Sequence, residues 1–122
     1  MPRKNVLASY NAIVDGDMSG TLTSPVTNVM FLDNITIQLN STGSPNGTYD
    51  VQVSSDYSQD SLGNVLNVGN WNSLDLSPEP TITSAGVVTI DMNQLPGPYI
   101  RVVWTPVSGS GTLNMYIAAK EI

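Results

Sequence analysis

The sequence predicts an all-β fold, an antiparallel β-sandwich of about eight strands with jelly-roll-like connectivity. Apolar and polar residues alternate in short runs, as they do in strands with one buried face. Turn-forming Gly, Pro, Asn and Ser separate these runs, and no window has the apolar period of a helix. The 122 residues suit one domain. We predict an N-terminal arm over residues 1–8 and a single β-sandwich domain over residues 9–122.

Five alternating runs carry the strand prediction. In each run, every second residue is apolar, so that these side chains share one face of a strand. The apolar members are Ile35, Ile37 and Leu39; Tyr49, Val51 and Val53; Val88, Ile90 and Met92; Ile100, Val102 and Trp104; and Leu113, Met115 and Ile117. Because Trp104 is in register with Ile100 and Val102, we assign it to the core.

The turn signals divide the chain between these runs. Residues 44–47, with their Asn-Gly pair, predict a hairpin between two alternating strands, and residues 108–111 predict a turn between the last two strands. Residues 84–86 join the strand around Ile82 to the one around Val88. Prolines force a loop over residues 95–98, before Tyr99. Residues 55–70 form a long polar loop, a type of segment that often carries function.

Charge and composition exclude several classes of function. Only 11% of the residues are charged, against roughly 25% in typical soluble domains, and a neutral polar surface is cheap to bury against a partner. The net charge is −6 with four basic residues, so no Lys/Arg cluster exists for nucleic acid. Cysteine and histidine are absent, which removes disulfides, thiol nucleophiles, the usual zinc sites and the Ser-His-Asp triad. We therefore expect neither catalysis nor a cofactor.

Localisation is predicted from the N-terminus and from hydropathy. The start of the chain is basic, but no apolar segment of signal-peptide length follows it. No stretch approaches the ~20 apolar residues of a membrane helix. We expect synthesis in a host cytoplasm without a cleaved signal, and no membrane partner.

Two acidic patterns fit site chemistry only weakly. Residues 15–20 copy the opening of a calcium loop, but its twelfth position is Val26, where a bidentate Glu is required. A β-turn at Asp15-Gly16 explains that pattern better. A carboxylate pair for glycoside hydrolysis would have to come from Asp33, Asp50, Asp56, Asp60, Asp75, Glu79 or Asp91. No spacing among them indicates such a pair.

Aromatic and basic residues supply the remaining candidates. Trp71 and Tyr57 are possible ligand-stacking aromatics for a glycan, although core packing, or closure of the open end of the sandwich, explains Trp71 better. Arg101 is the only basic residue away from the chain ends, on the face opposite to Ile100 and Val102. It is available to pair with a neighbouring acidic residue or with a partner protein. Arg3 and Lys4 would give the N-terminal arm a basic contact.

Four segments together resemble small virion proteins of tailed bacteriophages. These segments are residues 70–78, 88–92, 98–106 and 108–120, and the resemblance covers roughly residues 48 to 120. It implies a head decoration or cement protein that binds the outer surface of the capsid, with location on a tail or head fibre as the alternative. The implied partners are the major capsid protein, further copies of this chain, or both. A carbohydrate-binding or adhesion module remains the alternative function.

Overall fold

The computed structural model describes residues 6–30, 32–74, 81–93 and 98–121, and in these residues every regular element is a β-strand. The strands are β1 (Val6–Asp17), β2 (Leu22–Thr23), β3 (Thr27–Asn28), β4 (Asn34–Ser54), β5 (Ser58–Gln59), β6 (Val65–Asn67), β7 (Asn72–Ser73), β8 (Thr81–Ile82), β9 (Gly86–Asn93) and β10 (Tyr99–Lys120). The described part of the chain offers no helix that could cross a bilayer.

Eight of the strands form one antiparallel sheet around a long central ribbon. β4 and β10 pair along their whole lengths, from Asn34↔Lys120 to Ser54↔Tyr99. At one end of the ribbon, β1 adds to β10 and β9 adds to β4. At the other end, β2 and β3 add to β10, while β7 and β8 add to β4. The all-β, antiparallel prediction is confirmed, and the arrangement is consistent with a β-sandwich. Jelly-roll connectivity stays a prediction.

The two strongest turn predictions were wrong. Residues 44–47 lie inside β4 and residues 108–111 lie inside β10, where the two segments pair with each other. Instead of reversing the chain, the two segments approach each other closely. Gly109 has φ +78, and a Cβ there would stand 2.1 Å from the carbonyl oxygen of Ser44. The long-range pairing has overridden the local turn preference.

A one-residue bulge in β10 keeps both halves of the ribbon facing the core. The register with β4 shifts between Pro106 and Ser108, which leaves Val107 as the extra residue. Even-numbered residues of β10 are buried before it, and odd-numbered residues after it. Because successive strand residues face opposite sides, the extra residue inverts the alternation at this point. In β4, from Ile35 to Val53, the buried residues stay odd-numbered on both sides of this bulge.

The core is one continuous cluster drawn from both halves of the ribbon. Trp104 is completely buried, as predicted, and its Nε1 donates to the carbonyl oxygen of Met18 at 3.0 Å. The apolar residues of four predicted runs are buried, and in the run at residues 88–92 Met92 is buried while Val88 and Ile90 are half-buried. The alternation in the sequence thus identified the inward face correctly.

The remaining predicted boundaries are partly corrected. Asp15 has φ 50 and lies in an irregular part of β1, so no turn forms at Asp15-Gly16. The turn comes later, where the Gly20 N–H donates to the Asp17 carbonyl oxygen. Residues 83–85 link β8 to β9, one residue earlier than the predicted connection at 84–86, since Gly86 already belongs to β9. Residues 6–8 belong to β1. The rest of the predicted arm, and residues 95–97 of the predicted loop over residues 95–98, lie outside the described residues.

Candidate functional site

Three of the five candidate side chains come together beside the end of the ribbon. Arg101 on β10, Trp71 just before β7, and Tyr57 just before β5 form one chain of contacts. Arg3 and Lys4 lie outside the described residues. Nothing in the spacing of residues 57, 71 and 101 predicts this meeting, because it depends on how the segment after β4 folds back onto the sheet.

Arg101 is held by groups of this chain on both sides. Its guanidinium lies 4.4 Å from the centroid of the Trp71 ring, a cation–π geometry. Its Nε donates to Oε1 of Gln52, the residue directly opposite on β4, at 2.7 Å. Nε2 of Gln52 in turn donates to a carboxylate oxygen of Asp50 at 3.0 Å. Two successive hydrogen bonds thus link Arg101 to Asp50 through the side chain of Gln52.

Trp71 anchors the loop that precedes it more than it offers a binding platform. Its indole N–H donates to the carbonyl oxygen of Val68 at 2.9 Å. The half-buried ring has Arg101 over one face and meets the ring of Tyr57 at 5.8 Å between centroids, tilted by 55°. Tyr57 is itself only 8% exposed and packs edge-on against Tyr99 at 5.1 Å. A sugar stacking on Tyr57 would have to displace these neighbours.

The predicted polar loop contains a small hairpin fixed by two aspartates. β5 and β6 pair across it, and we call residues 56–70 the apolar hairpin. At its base, the Asp56 carboxylate accepts hydrogen bonds from the N–H and Nδ2 of Asn70, both at 2.7 Å, and from the Ser54 hydroxyl at 2.9 Å. At its tip, Asp60 accepts from the N–H groups of Leu62 and Asn64, both at 2.9 Å. Hydrogen bonds therefore fix the hairpin both at its base and at its tip.

The apolar hairpin presents four large aliphatic side chains to solvent. Leu62, Val65, Leu66 and Val68 are 86%, 52%, 68% and 75% exposed. No charged residue occurs from 61 to 70. Exposed apolar groups concentrated on a fixed element mark interaction sites, because covering them removes apolar surface from water without desolvating a charge. In the sequence, this surface was visible only as four aliphatic residues inside a polar loop. Nothing in the sequence showed that they face outwards.

A polar cleft of about 490 Å³ lies beside the base of the hairpin. Six of its eight lining residues have a hydroxyl, amide or carboxylate side chain. The lining residues are Val53, Ser54, Ser55, Asp56, Asn70, Asn72, Ser73 and Leu74. Trp71 is not among them, so the cleft and the aromatic contacts lie on different sides of this segment.

The acidic side chains of the described residues do not converge on a metal site. Within residues 6–30, 32–74, 81–93 and 98–121, no group of three or more His, Cys, Asp or Glu is placed to hold an ion. Asp50, Asp56, Asp60 and Asp91 each accept local hydrogen bonds. Asp75 and Glu79 lie outside the described residues. The calcium-loop pattern at residues 15–20 instead gives an irregular strand and the turn at Asp17, whose carboxylate accepts from the Ser19 N–H at 3.0 Å.

Comparison with known proteins finds no matching family model, no matching curated protein and no matching solved structure.

The hydrogen bonds accepted by the carboxylates of Asp56 and Asp60 predict that acid weakens the hairpin. The N–H of Asn70, then its side chain, then the Ser54 hydroxyl hold the pKa of Asp56 below its usual 3.8. The N–H of Asn64, followed by its side chain, likewise lowers the pKa of Asp60. A depressed pKa in the folded state gives stabilisation that is complete above the unfolded value and lost as pH falls through the folded value. We expect the protection factors of the Asn70 and Asn64 amide hydrogens, measured against the intrinsic exchange rate at each pH, to fall below about pH 3.8, while the core amides stay protected.

The substitution Asp56→Asn tests the base of the hairpin at neutral pH. We expect the Asn70 amide to exchange faster because a charge-assisted acceptor is lost. Asp91→Asn on β9 is the matched control and should leave Asn70 unchanged. Equal exchange at Asn70 in Asp56→Asn and the parent chain would contradict this account of the hairpin.

Proposed function

We propose that this chain is a structural protein of a tailed-phage virion, a capsid decoration or cement protein that binds the outside of the head. The proposal involves no catalytic step. The observation that supports it is the apolar hairpin, a preformed element with four exposed aliphatic side chains and no charged residue from 61 to 70. The capsid assignment itself comes from the resemblance over residues 48 to 120.

The hairpin suits stable attachment to a protein lattice. Burying one Val or Leu side chain is worth about 1.5–3 kcal/mol, and four such side chains supply a contact of useful strength. The bonds at Asp56, Asp60 and Trp71 fix the hairpin before binding, which lowers the entropy lost on docking. A protein that binds only the assembled shell stabilises it by mass action.

Purified virions test the location. We expect this chain at hundreds of copies per particle, with density on the outer surface of the head in cryo-electron microscopy. A handful of copies, at the tail or on fibres, would overturn the decoration role. So would absence of the chain from intact particles.

Paired variants test the hairpin as the contact. Leu62→Ser with Leu66→Ser removes two exposed aliphatic groups and should weaken binding to undecorated heads at least about 10-fold, since 1.4 kcal/mol corresponds to that factor. Val14→Ser with Val107→Ser is the control, because both side chains are also exposed aliphatics, at 65% and 74%. Equal weakening by both pairs would argue against a specific hairpin contact.

The polar cleft favours a glycan-binding adhesion module as the second candidate. Its amide, hydroxyl and carboxylate groups match the hydrogen-bonding needs of a hydroxyl-rich ligand. A glycan array probed with the labelled chain tests this function. Binding that is lost in Asn72→Ala would support it, and an array without signal would remove it.

A further inference from the structure

The two outer strands of the sheet differ in a way that points to a partner. β1 pairs with β10 through three register shifts, between residues 7 and 10, 11 and 13, and 13 and 16. β9 pairs with β4 residue by residue from Ser41↔Gly86 to Asn34↔Asn93, with no shift. Bulges protect an outer strand against pairing with another chain, whereas a regular strand leaves a straight row of backbone groups available.

β9 also has the composition of a strand that another strand can join. Among the described residues it pairs only with β4, so its other side has no strand partner there. It contains no proline, and Asp91 is its only charged residue. The Asp91 carboxylate already accepts from Nδ2 of Asn34 at 2.8 Å. Val88 and Ile90 pack against the core but remain only half-buried, which leaves apolar surface at the edge.

We propose that β9 is a self-association site, at which β9 of a second copy adds antiparallel about a two-fold axis through Thr89. This register places Thr89 opposite Thr89 of the second copy. It places Val88 opposite Ile90 of the second copy, and the symmetry repeats that apolar pair. Cross-strand apolar pairs and Thr–Thr pairs are favourable units of sheet stabilisation. The joined strands extend the sheet and its core across the axis.

The sequence of β9 favours this register over the two neighbouring registers. A two-fold axis normal to the sheet keeps opposite side chains on the same face, so the alternative axes pass through Val88 or Ile90. An axis through Val88 leaves Ile90 opposite Gly86, without an apolar partner. An axis through Ile90 brings Asp91 opposite Thr89 and its two copies close together. With the axis at Thr89, the two Asp91 residues are separated by about 13 Å along the strands, beyond the ~8 Å screening length at physiological salt.

The occupant is a second copy because the pattern is self-complementary. The half-buried side chains at positions 88 and 90 are equidistant from Thr89, so one strand supplies both members of each pair. A contact with no charge at its centre also suits a chain of net charge −6, whose copies repel each other. This dimer does not use the apolar hairpin, so self-association and capsid binding can be tested independently.

Cross-linking tests the register directly, because the chain has no native cysteine. Thr89→Cys should form a disulfide-linked dimer on mild oxidation, since directly opposite Cβ atoms lie about 4.5–5.5 Å apart. Val87→Cys is the matched control on the same strand and the same exposed face. Its two copies would lie four residues apart along the strands and should not cross-link. A Val87→Cys dimer without a Thr89→Cys dimer would overturn the register.

Sedimentation equilibrium of the unmodified chain tests the association. The mass should rise from 13.0 kDa toward twice that value with concentration. Thr89→Lys places like charges opposite each other across the axis and should restore the monomer mass while the far-ultraviolet circular dichroism stays unchanged. A parent chain that is monomeric at every concentration would overturn the proposal, as would a dimer unaffected by Thr89→Lys. Leu62→Ser with Leu66→Ser should dimerise normally, which separates failure of this proposal from failure of capsid binding.

Discussion

Deletion of Val107 should abolish cooperative folding, although Val107 itself is 74% exposed. Val107 matters because it is the extra residue at the bulge. It switches the buried positions of β10 from even-numbered to odd-numbered residues. Without it, either Ile100, Val102 and Trp104 or Leu113, Met115 and Ile117 must turn towards solvent. Exposing three such side chains costs about 5–9 kcal/mol, which approaches or exceeds the total stability of an ordinary domain.

Urea unfolding followed by circular dichroism checks this expectation. The deletion should show no cooperative transition, whereas Val107→Ser should unfold within about 0.5 kcal/mol of the parent chain. A deletion variant with a normal transition would mean that β10 recovers its register elsewhere. That result would contradict the assigned role of the bulge.

Trp104→Ala should lower the free energy of unfolding by about 3–5 kcal/mol, the range for removing a large aromatic side chain from a core. Trp104 has no exposed surface and belongs to the single core cluster. Its loss also removes the bond from Nε1 to the Met18 carbonyl oxygen. Trp71→Ala removes the same side chain from a half-buried site and should cost less global stability.

The comparison of these two variants is made by chemical denaturation. A third variant, Trp104→Phe, keeps most of the apolar volume but leaves the Met18 carbonyl oxygen without its donor, which costs about 1–3 kcal/mol. The expected order of stability is parent, Trp104→Phe, Trp104→Ala. Equal stability of Trp104→Ala and Trp71→Ala would contradict the burial described for Trp104.

The inward face of the sheet could be predicted from the sequence, whereas its connectivity could not. Alternation at Ile35, Ile37 and Leu39, and at Leu113, Met115 and Ile117, reports burial directly because it depends only on strand geometry. The segments at 44–47 and 108–111 have the composition of turns. They became strand interiors because each is the pairing partner of the other, and a local window cannot contain both partners.

The candidate site was predictable only as separate residues. Trp71, Tyr57 and Arg101 were identified as candidates, and the structure brings them into contact. Their stacking on each other was not predictable, and the outward orientation of Leu62 and Leu66 was missed. Both depend on the fold-back of residues 56–70, which is fixed by hydrogen bonds to Asp56 from a residue far along the loop.

The long β4–β10 ribbon has a consequence for how the chain acquires its structure. The pair nearest in sequence is Ser54 with Tyr99, so no tight turn brings the two central strands together. Closing such large loops before any pairing forms slows folding, and β-rich topologies dominated by distant contacts fold in milliseconds to seconds. During synthesis, the first half of β4 must wait for its two partners, β9 and the last residues of β10, to leave the ribosome. The nascent chain therefore exposes an unpaired apolar strand for most of its translation, and a chaperone that shields extended segments would raise the yield of native protein.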